Sequence, residues 1–322
     1  MIYTTNSKLV IYMPAFNEER QIEAVLKGLP PSIEGVSDVI FLVVDDGSTD
    51  NTATIARKAG ATVVQHRRNR GVGAAFHSAV QFALENNADI LVGIDADGQF
   101  NSEEIPAIIK PILERNANMV IGNRFTQGIP QNMASMKFWG NQQIAQIINY
   151  VANQRFQDVS CGFRAYDRET LLRLNLFGEF TYTHETILSI IFQGLHVTEC
   201  PVSVKYDPER RSRVAGSLLR YMIQTSKIIL RVLLDYRPFR VFGSLGGVFI
   251  ALGITFEIFL FGHYLIAGSY TPYKSAGFIG LGFLIFGLLI LVIALISDML
   301  NRVRRNQDKI LYEIKKTLYA KT

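Results

Sequence analysis

The chain has 322 residues, 48% of them hydrophobic, and a formal net charge of +5. Its mean hydropathy of +0.17 is high for a soluble enzyme, and its pI is about 9.1. Only two cysteines are present, Cys161 and Cys200, and no Cys/His cluster has zinc-ligand spacing, which excludes a disulfide framework and a zinc site and suits a reducing compartment.

Residues 1–8 are polar and no apolar run follows them, so no secretory signal peptide is expected. Apolar runs at 9–13, 39–44, 62–65, 90–94 and 119–121 read as strands, and helical patterns at 19–29, 51–59, 73–85 and 102–115 separate them. This alternation predicts an α/β domain with a parallel sheet covered on both faces, whose ligands bind beyond the C-terminal strand ends. Residues 157–168 are irregular; a helix at 183–193 and a strand at 197–206 follow.

Residues 217–234 place Leu218, Leu219, Met222, Ile223, Leu230, Leu233 and Leu234 on one helical face and Arg220, Gln224, Lys227 and Arg231 on the other. That pattern predicts a basic amphipathic helix lying in a membrane interface, the alternative being a surface helix facing the core. Apolar segments 242–267 and 277–299 then each exceed the roughly 20 residues that cross hydrocarbon. Arg231, Arg237, Arg240, Arg302, Arg304 and Arg305 flank the outer ends of this pair. By the positive-inside rule both termini are expected in the cytoplasm and the linker 268–275 outside. Glu257, inside the first span, reads as a snorkelling residue or a helix–helix contact.

The expected division is a catalytic domain at 1–216, a juxtamembrane helix at 217–238, a transmembrane hairpin at 239–300 and a basic cytoplasmic tail at 301–322. The protein is expected to be integral to the cytoplasmic membrane. Charge placed beside the spans favours anionic lipid over nucleic acid as a partner, and no nucleic-acid motif is present. A homo-oligomer formed through the spans is left open.

Four polar motifs follow strand ends. Asp95-Ala-Asp97-Gly-Gln99 brings two carboxylates and an amide oxygen to one turn, a set that suits Mg2+ or Mn2+ with room for phosphate oxygens. Asp45-Asp46-Gly-Ser-Thr-Asp50 offers carboxylates to a nucleobase N–H or a ribose hydroxyl, with Ser48 or Thr49 as a cap for the next helix. Pro14-Ala-Phe16-Asn-Glu18 follows the first strand, where Glu18 and Glu19 also suit a helix N-terminus. Asn69-Arg-Gly71-Val-Gly73 opens a helix and lets backbone approach a ligand.

These motifs, with Gly122-Asn-Arg124 and Asp158-Val-Ser-Cys-Gly-Phe-Arg164, resemble glycosyltransferase family 2 over roughly residues 8–216, and within it the polyprenyl-phosphate hexose synthases of the dolichyl-phosphate mannose synthase type. The resemblance implies a GT-A (Rossmann-like) fold and inversion at the anomeric carbon. It implies that Pro14, Phe16, Glu18, Asp45, Asp46 and Gly71 line the nucleotide site and that Asp95, Asp97 and Gln99 hold the metal. It implies a UDP- or GDP-hexose donor and a polyprenyl phosphate acceptor, with Arg124 and the arginines near 210 facing phosphates. The family's arginine and serine before a Gly-Asn pair are not matched cleanly in Met133-Ala-Ser-Met-Lys137-Phe-Trp-Gly-Asn141, so Ser135 and Lys137 stay unassigned.

The chemistry agrees with that reading. A lipid phosphate monoester has a second pKa of about 6, so it is a nucleophile at pH 7 without a general base. The problem is to hold it beside a pyrophosphate, which calls for a cation and for guanidinium groups. Arg124, Arg164, Arg210, Arg211 and Arg213 are available, the last three also suiting a lipid-binding patch. Asp158 is read as orienting the acceptor or as a weak base, against a structural ion pair with Arg164. A processive synthase is disfavoured because the only tryptophan, Trp139, follows Phe138 and not arginine. Another lipid or polysaccharide acceptor, or a non-catalytic nucleotide-sugar-binding protein, are the alternatives.

Overall fold

The computed structural model describes residues 7–175, 183–206 and 238–320, together with 223, 226, 227, 230, 233 and 234. The chain divides into two units, one of Met1–Ile229 with Tyr312–Thr322 and one of Leu230–Leu311.

In chain order the first unit contains β1 (Ser7–Ala15), α1 (Ile22–Lys27), β2 (Val36–Asp45), α2 (Thr52–Lys58), β3 (Thr62–Gln65), α3 (Val72–Glu85) and β4 (Ile90–Gly93). It continues with α4 (Ile105–Leu113), β5 (Met119–Asn123), α5 (Ser135–Ala152), β6 (Arg164–Asp167), α6 (Arg168–Arg173), α7 (Thr183–Phe192) and β7 (Val197–Pro201). The strands form one sheet in the order β3-β2-β1-β4-β6-β5-β7. β1 runs parallel to β2 and β4, and β5 parallel to β7. Leu9, Val10 and Ile11 in β1 and Leu91 and Val92 in β4 are wholly buried, as continuous apolar runs under two helical layers must be.

The expectation of an all-parallel sheet is corrected at β6, which runs antiparallel to both β4 and β5. Periodicity missed this strand because its first residue is Arg164, an arginine in a fully buried position. Helices α5 and α6 were also not read from the sequence.

The parallel ends of β1, β2, β4 and β5 bring Ala15, Asp45, Gly93 and Asn123 to one edge of the sheet. β6 starts from that same edge, with Arg164 beside Gly93 and Ile121. Every motif loop therefore opens there.

The second unit holds most of two helices, Pro238–Ala267 and Lys274–Leu318, both long and apolar enough to cross a membrane. They approach through glycines seven residues apart. A Cβ on Gly253 would lie 2.8 Å from the Gly280 carbonyl oxygen, and one on Gly246 3.0 Å from that of Gly287. Close backbone approach at small residues is how helices pack where lipid gives no hydrophobic drive. A Cβ on Gly280 would also lie 2.8 Å from Glu257 Oε1, so Glu257 makes a helix–helix contact.

The second long helix runs on to Leu318, so residues 301–318 are helical. Its last turns belong to the first unit. There Tyr312 donates to Glu169 Oε2 at 2.8 Å, and Lys315 Nζ reaches the Leu174 carbonyl and Asn175 Oδ1 at 2.8 Å each. Arg168 donates to the Tyr319 carbonyl. The amphipathic segment at 217–234 lies mostly outside the described residues; the six described residues there are helical, with Ile223 and Leu230 exposed.

Candidate active site

The nucleotide-site motifs brace one another. Asn17, after β1, donates its N–H to Ser48 Oγ at 2.9 Å, and its Oδ1 accepts from Thr49 N at 2.9 Å. Glu18 N donates to Thr52 Oγ1 at 2.8 Å, while the Glu18 carbonyl starts α1 by accepting from Gln21 and Ile22. The capping expectation is corrected: Asp50, not Ser48 or Thr49, accepts from Thr52 N at 3.0 Å. Pro14 lies inside β1 beside Val44, and Phe16 is half-buried at its exit.

Asp45 is wholly buried and one of its oxygens accepts from Ser48 N at 3.0 Å. Asp46 is the hub of the glycine loop. Its Oδ1 accepts from Arg70 N at 2.9 Å and its Oδ2 from Gly71 N at 2.7 Å. His66 Nδ1 lies 2.7 Å from Asp46 Oδ1, and His66 Nε2 lies 2.9 Å from Ser78 Oγ on α3. Sequence reading missed His66, which follows β3 and is almost buried. Gly47 must be glycine: its φ is +77°, and a Cβ would lie 2.5 Å from the Arg68 carbonyl carbon.

The second half of the site lies beyond β4, β5 and β6. Asp95 borders Gly162, whose Cβ position is 3.3 Å from both Asp95 carboxylate oxygens. Asp97 Oδ1 accepts from Gln99 N at 3.1 Å, and the Gln99 carbonyl accepts from Lys205 N at 2.9 Å. No group of three His, Cys, Asp or Glu among the described residues could hold a metal ion alone. Asp95 and Asp97 fit a hard cation that takes its other ligands from a diphosphate and water.

Arg124 and Asp158 form a fork. Arg124 Nε donates to Asp158 Oδ2 at 2.6 Å and Arg124 Nη2 to Asp158 Oδ1 at 2.9 Å. Arg124 Nη1 donates to Tyr206 Oη at 2.9 Å. Burial works against the Arg124 charge, but Asp158 beside it outweighs this and holds the guanidinium well above the ordinary range. Asp158 is wholly buried and also accepts from Ser160 N at 3.1 Å. Both Asp158 oxygens accept from Arg124, so the ion pair expected of Asp158 is made with that residue. The alternative pairing with Arg164 is corrected.

Arg164 is likewise corrected, from a phosphate-facing residue to a structural one. Its guanidinium is buried, donating to the carbonyls of Cys161 at 2.6 Å, Thr183 at 2.6 Å and Val159 at 2.8 Å. It pins the loop before β6 to the start of α7. His184 lies in the same core, where burial first and Arg164 second push its imidazole down to about 3. Burial pushes the Cys161 thiol up to about 12, so it is no nucleophile.

Lys137, left unassigned by the sequence, is brought to the site by the first turn of α5. Its Nζ stands 4.8 Å from the Tyr206 ring centroid, a cation–π contact. Burial pushes its ammonium below the ordinary lysine range, Arg124 adds to that, and Asp97, Asp158 and Asp95 oppose it. Three carboxylates, Asp95, Asp97 and Asp158, thus gather with two cations, Arg124 and Lys137. Arg210, Arg211 and Arg213 lie outside the described residues.

The model of the family described as glycosyl transferase family 2 matches residues 10–174. Glycosyltransferase AglJ of Haloferax volcanii is 25% identical over 96% of this chain and 99% of its own. A dolichyl-phosphate hexose transferase of the same organism is 28% identical over 62% of this chain and 83% of its own. Glucosyl-3-phosphoglycerate synthase of Mycobacterium tuberculosis, crystallised with Mn2+, UDP-glucose and phosphoglyceric acid, superposes with a TM-score of 0.54 at 22% identity, covering 70% of this chain and 80% of that one. The likeness to that structure extends to the fold.

Proposed function

The chain belongs to glycosyltransferase family 2, and from that membership we propose that it transfers one hexose from a nucleotide diphosphate sugar to a polyprenyl phosphate, with inversion, at the cytoplasmic membrane face. The observation that carries this reading is the joining of two features in one chain. Carboxylates Asp95 and Asp97 share one sheet edge with Arg124 and Lys137, and two membrane-length helices follow. The relatives named for dolichyl-phosphate hexose transfer and the Mn2+ and UDP-glucose in a structure of the same fold support it.

The loops around Asp46 and Gly71 hold the nucleoside, with Pro14, Phe16, Glu18 and Asp45 forming the wall that they brace. Asp95 and Asp97, with Gln99 on the same turn, hold Mg2+ or Mn2+ against the donor diphosphate. Such an ion supplies charge neutralisation for the departing nucleoside diphosphate. Arg124, oriented by Asp158 and Tyr206, and Lys137 draw the acceptor phosphate toward the anomeric carbon. Arg210, Arg211 and Arg213 add further phosphate contacts. The acceptor phosphate needs no base, since it reaches the site largely deprotonated at pH 7. No member of the site then has to carry a proton during transfer.

The test is a donor panel of UDP- and GDP-hexoses with purified protein and a polyprenyl phosphate. Lipid-linked hexose should form with one donor and cease in EDTA. Transfer to a soluble phosphate acceptor alone, or hydrolysis without transfer, would overturn the proposal.

A further inference from the structure

His66 stands where β2, β3 and α3 meet. β3 ends at Gln65, paired with Asp45 at the end of β2, and the His66 N–H donates to the Asp45 carbonyl at 2.8 Å. The sheet therefore holds the backbone here whatever the side chain. The imidazole spans from the loop after β2 to α3: Nδ1 lies 2.7 Å from Asp46 Oδ1 and Nε2 lies 2.9 Å from Ser78 Oγ. The two side chains of the His66–Asp46 pair are only 7% and 6% exposed. The Asp46 oxygens accept from Arg70 N and Gly71 N, so the carboxylate is the acceptor and Nδ1 carries the hydrogen. Nε2 of the neutral ring then accepts from the Ser78 hydroxyl. Aspartate, histidine and serine in this order are also the partners of a hydrolase triad. Ser78, however, lies in the interior of α3, where the neighbouring N–H groups are bonded within the helix and form no oxyanion hole.

We propose that His66, backed by Ser78, is a positioning residue for the donor nucleotide, locking the Asp46 carboxylate so that one acceptor lobe is left for the nucleoside. The inference rests on the reading that the loops around Asp46 and Gly71 hold that nucleoside. A carboxylate offers about four acceptor lobes. Oδ1 of Asp46 serves Arg70 N and His66 Nδ1, and Oδ2 serves Gly71 N, so the lobe that remains is on Oδ2. The ligand group it suits donates a single hydrogen, as a nucleobase N–H or a ribose hydroxyl does. Arg70 and Gly71 are neighbours in one loop, and their N–H groups move with that loop. His66 comes from the end of β3 and, through Ser78, from the body of α3, so it ties the carboxylate to the sheet and the helix. Both ring nitrogens are engaged, so the part His66 plays is to orient Asp46.

The full-length protein in detergent is titrated calorimetrically with UDP and with GDP in the presence of Mn2+. His66→Phe keeps a flat ring and removes both side-chain hydrogen bonds. It should weaken binding of the nucleotide that the wild type takes by roughly tenfold, the worth of one hydrogen bond to a charged group. In turnover it should raise donor KM with kcat little changed. His66→Asn, whose amide N–H can replace Nδ1–H, should recover most of the affinity. Ser78→Ala should weaken binding by less than His66→Phe, at an unchanged melting temperature. In an Asp46→Ala background His66→Phe should cost no further affinity, because no carboxylate is left to orient. A lower melting temperature with unchanged nucleotide affinity in His66→Phe would make the histidine structural and overturn the proposal, as would full affinity in Ser78→Ala together with additive losses in the Asp46→Ala background. A wild type that binds neither nucleotide would instead sink the reading of the site as a nucleotide pocket, so the two failures are told apart by the wild-type titration.

Discussion

Asp158 and Arg124 form a buried charge pair in the proposed phosphate site. The carboxylate has no solvent exposure and both its oxygens are committed to one guanidinium. Removing one partner of such a pair strands the other, at a cost of about 3–5 kcal/mol. Asp158→Asn is therefore expected to lower thermal stability in detergent by about that amount and to lower kcat, because Arg124 loses its orientation. Unchanged stability would show that the pair is not formed. At Asp95 and Asp97, the carboxylates proposed to hold the metal, the balance differs. Asp97→Ala removes a partly exposed acid, so the fold should persist while transfer falls on the order of 100-fold, the several kcal/mol of charge stabilisation that a bound ion supplies. Full activity in EDTA would refute the assignment. His184 makes a pH prediction. Its folded pKa, about 3, is depressed below the ordinary 6.5. Its contribution is thus complete above pH 6.5 and lost as pH falls toward 3. At pH 5 the loss is about 2 kcal/mol. Melting temperature should drop between pH 6.5 and 4, and His184→Gln should flatten that slope.

Among the elements, the two long helices carry the sharpest test. Gly246, Gly253, Gly280 and Gly287 form a seam at seven-residue spacing, and Gly247 and Gly282 beside it face open space. A branched side chain at Gly253 would meet Leu284 Cγ at 2.7 Å and the Gly280 carbonyl at 2.8 Å. Gly253→Ile is expected to destabilise the hairpin by about 1–3 kcal/mol, read as a lower melting temperature in nanodiscs. Gly247→Ile, one position from Gly246, should leave it unchanged. Equal effects at both sites would mean that helix propensity, not packing, is what these glycines serve. The same logic explains the loop after β2, where Gly47 admits the chain at Arg68 and Asn69 and so lets Asp46 reach the N–H groups of Arg70 and Gly71.

For the whole molecule, two helices long enough to cross a membrane would return the chain to the side it left. Basic residues flank both outer ends, so residues 268–275 should be external and the remainder cytoplasmic. A cysteine at Ser269 is expected to react with an impermeant thiol reagent in intact cells, and one at Lys309 only after permeabilisation. The reverse pattern would invert the topology and place the site away from cytosolic donors. The arginines at 210, 211 and 213 are tested at this scale as well, because they join the catalytic motifs to the spans in sequence. Alanine at one or more should cost about 1.5–3 kcal/mol of transition-state binding, or roughly 10- to 150-fold in lipid-linked product. Loss of membrane association alone would make them a lipid patch.

Much of this protein is legible in local pattern. Strands β1 to β5 and helices α1 to α4 follow from runs and periods within short windows, because burial on both sheet faces demands continuous apolar residues. The two membrane-length helices follow from the length of their apolar runs alone, since the bilayer has one thickness. The motif order likewise sufficed for the family. What the tertiary structure decided are pairings between distant residues. Asp158 finds Arg124 across 34 positions, and Arg164, much nearer in sequence, turns instead to backbone carbonyls. An arginine that opens a buried strand breaks the apolar run by which strands are recognised, so β6 and its antiparallel direction were hidden. Lys137 and the helix α5 that carries it were hidden for a related reason. A helix that is apolar on both sides has no amphipathic signature, and only the packed sheet edge shows which side is buried and which cation turns inward.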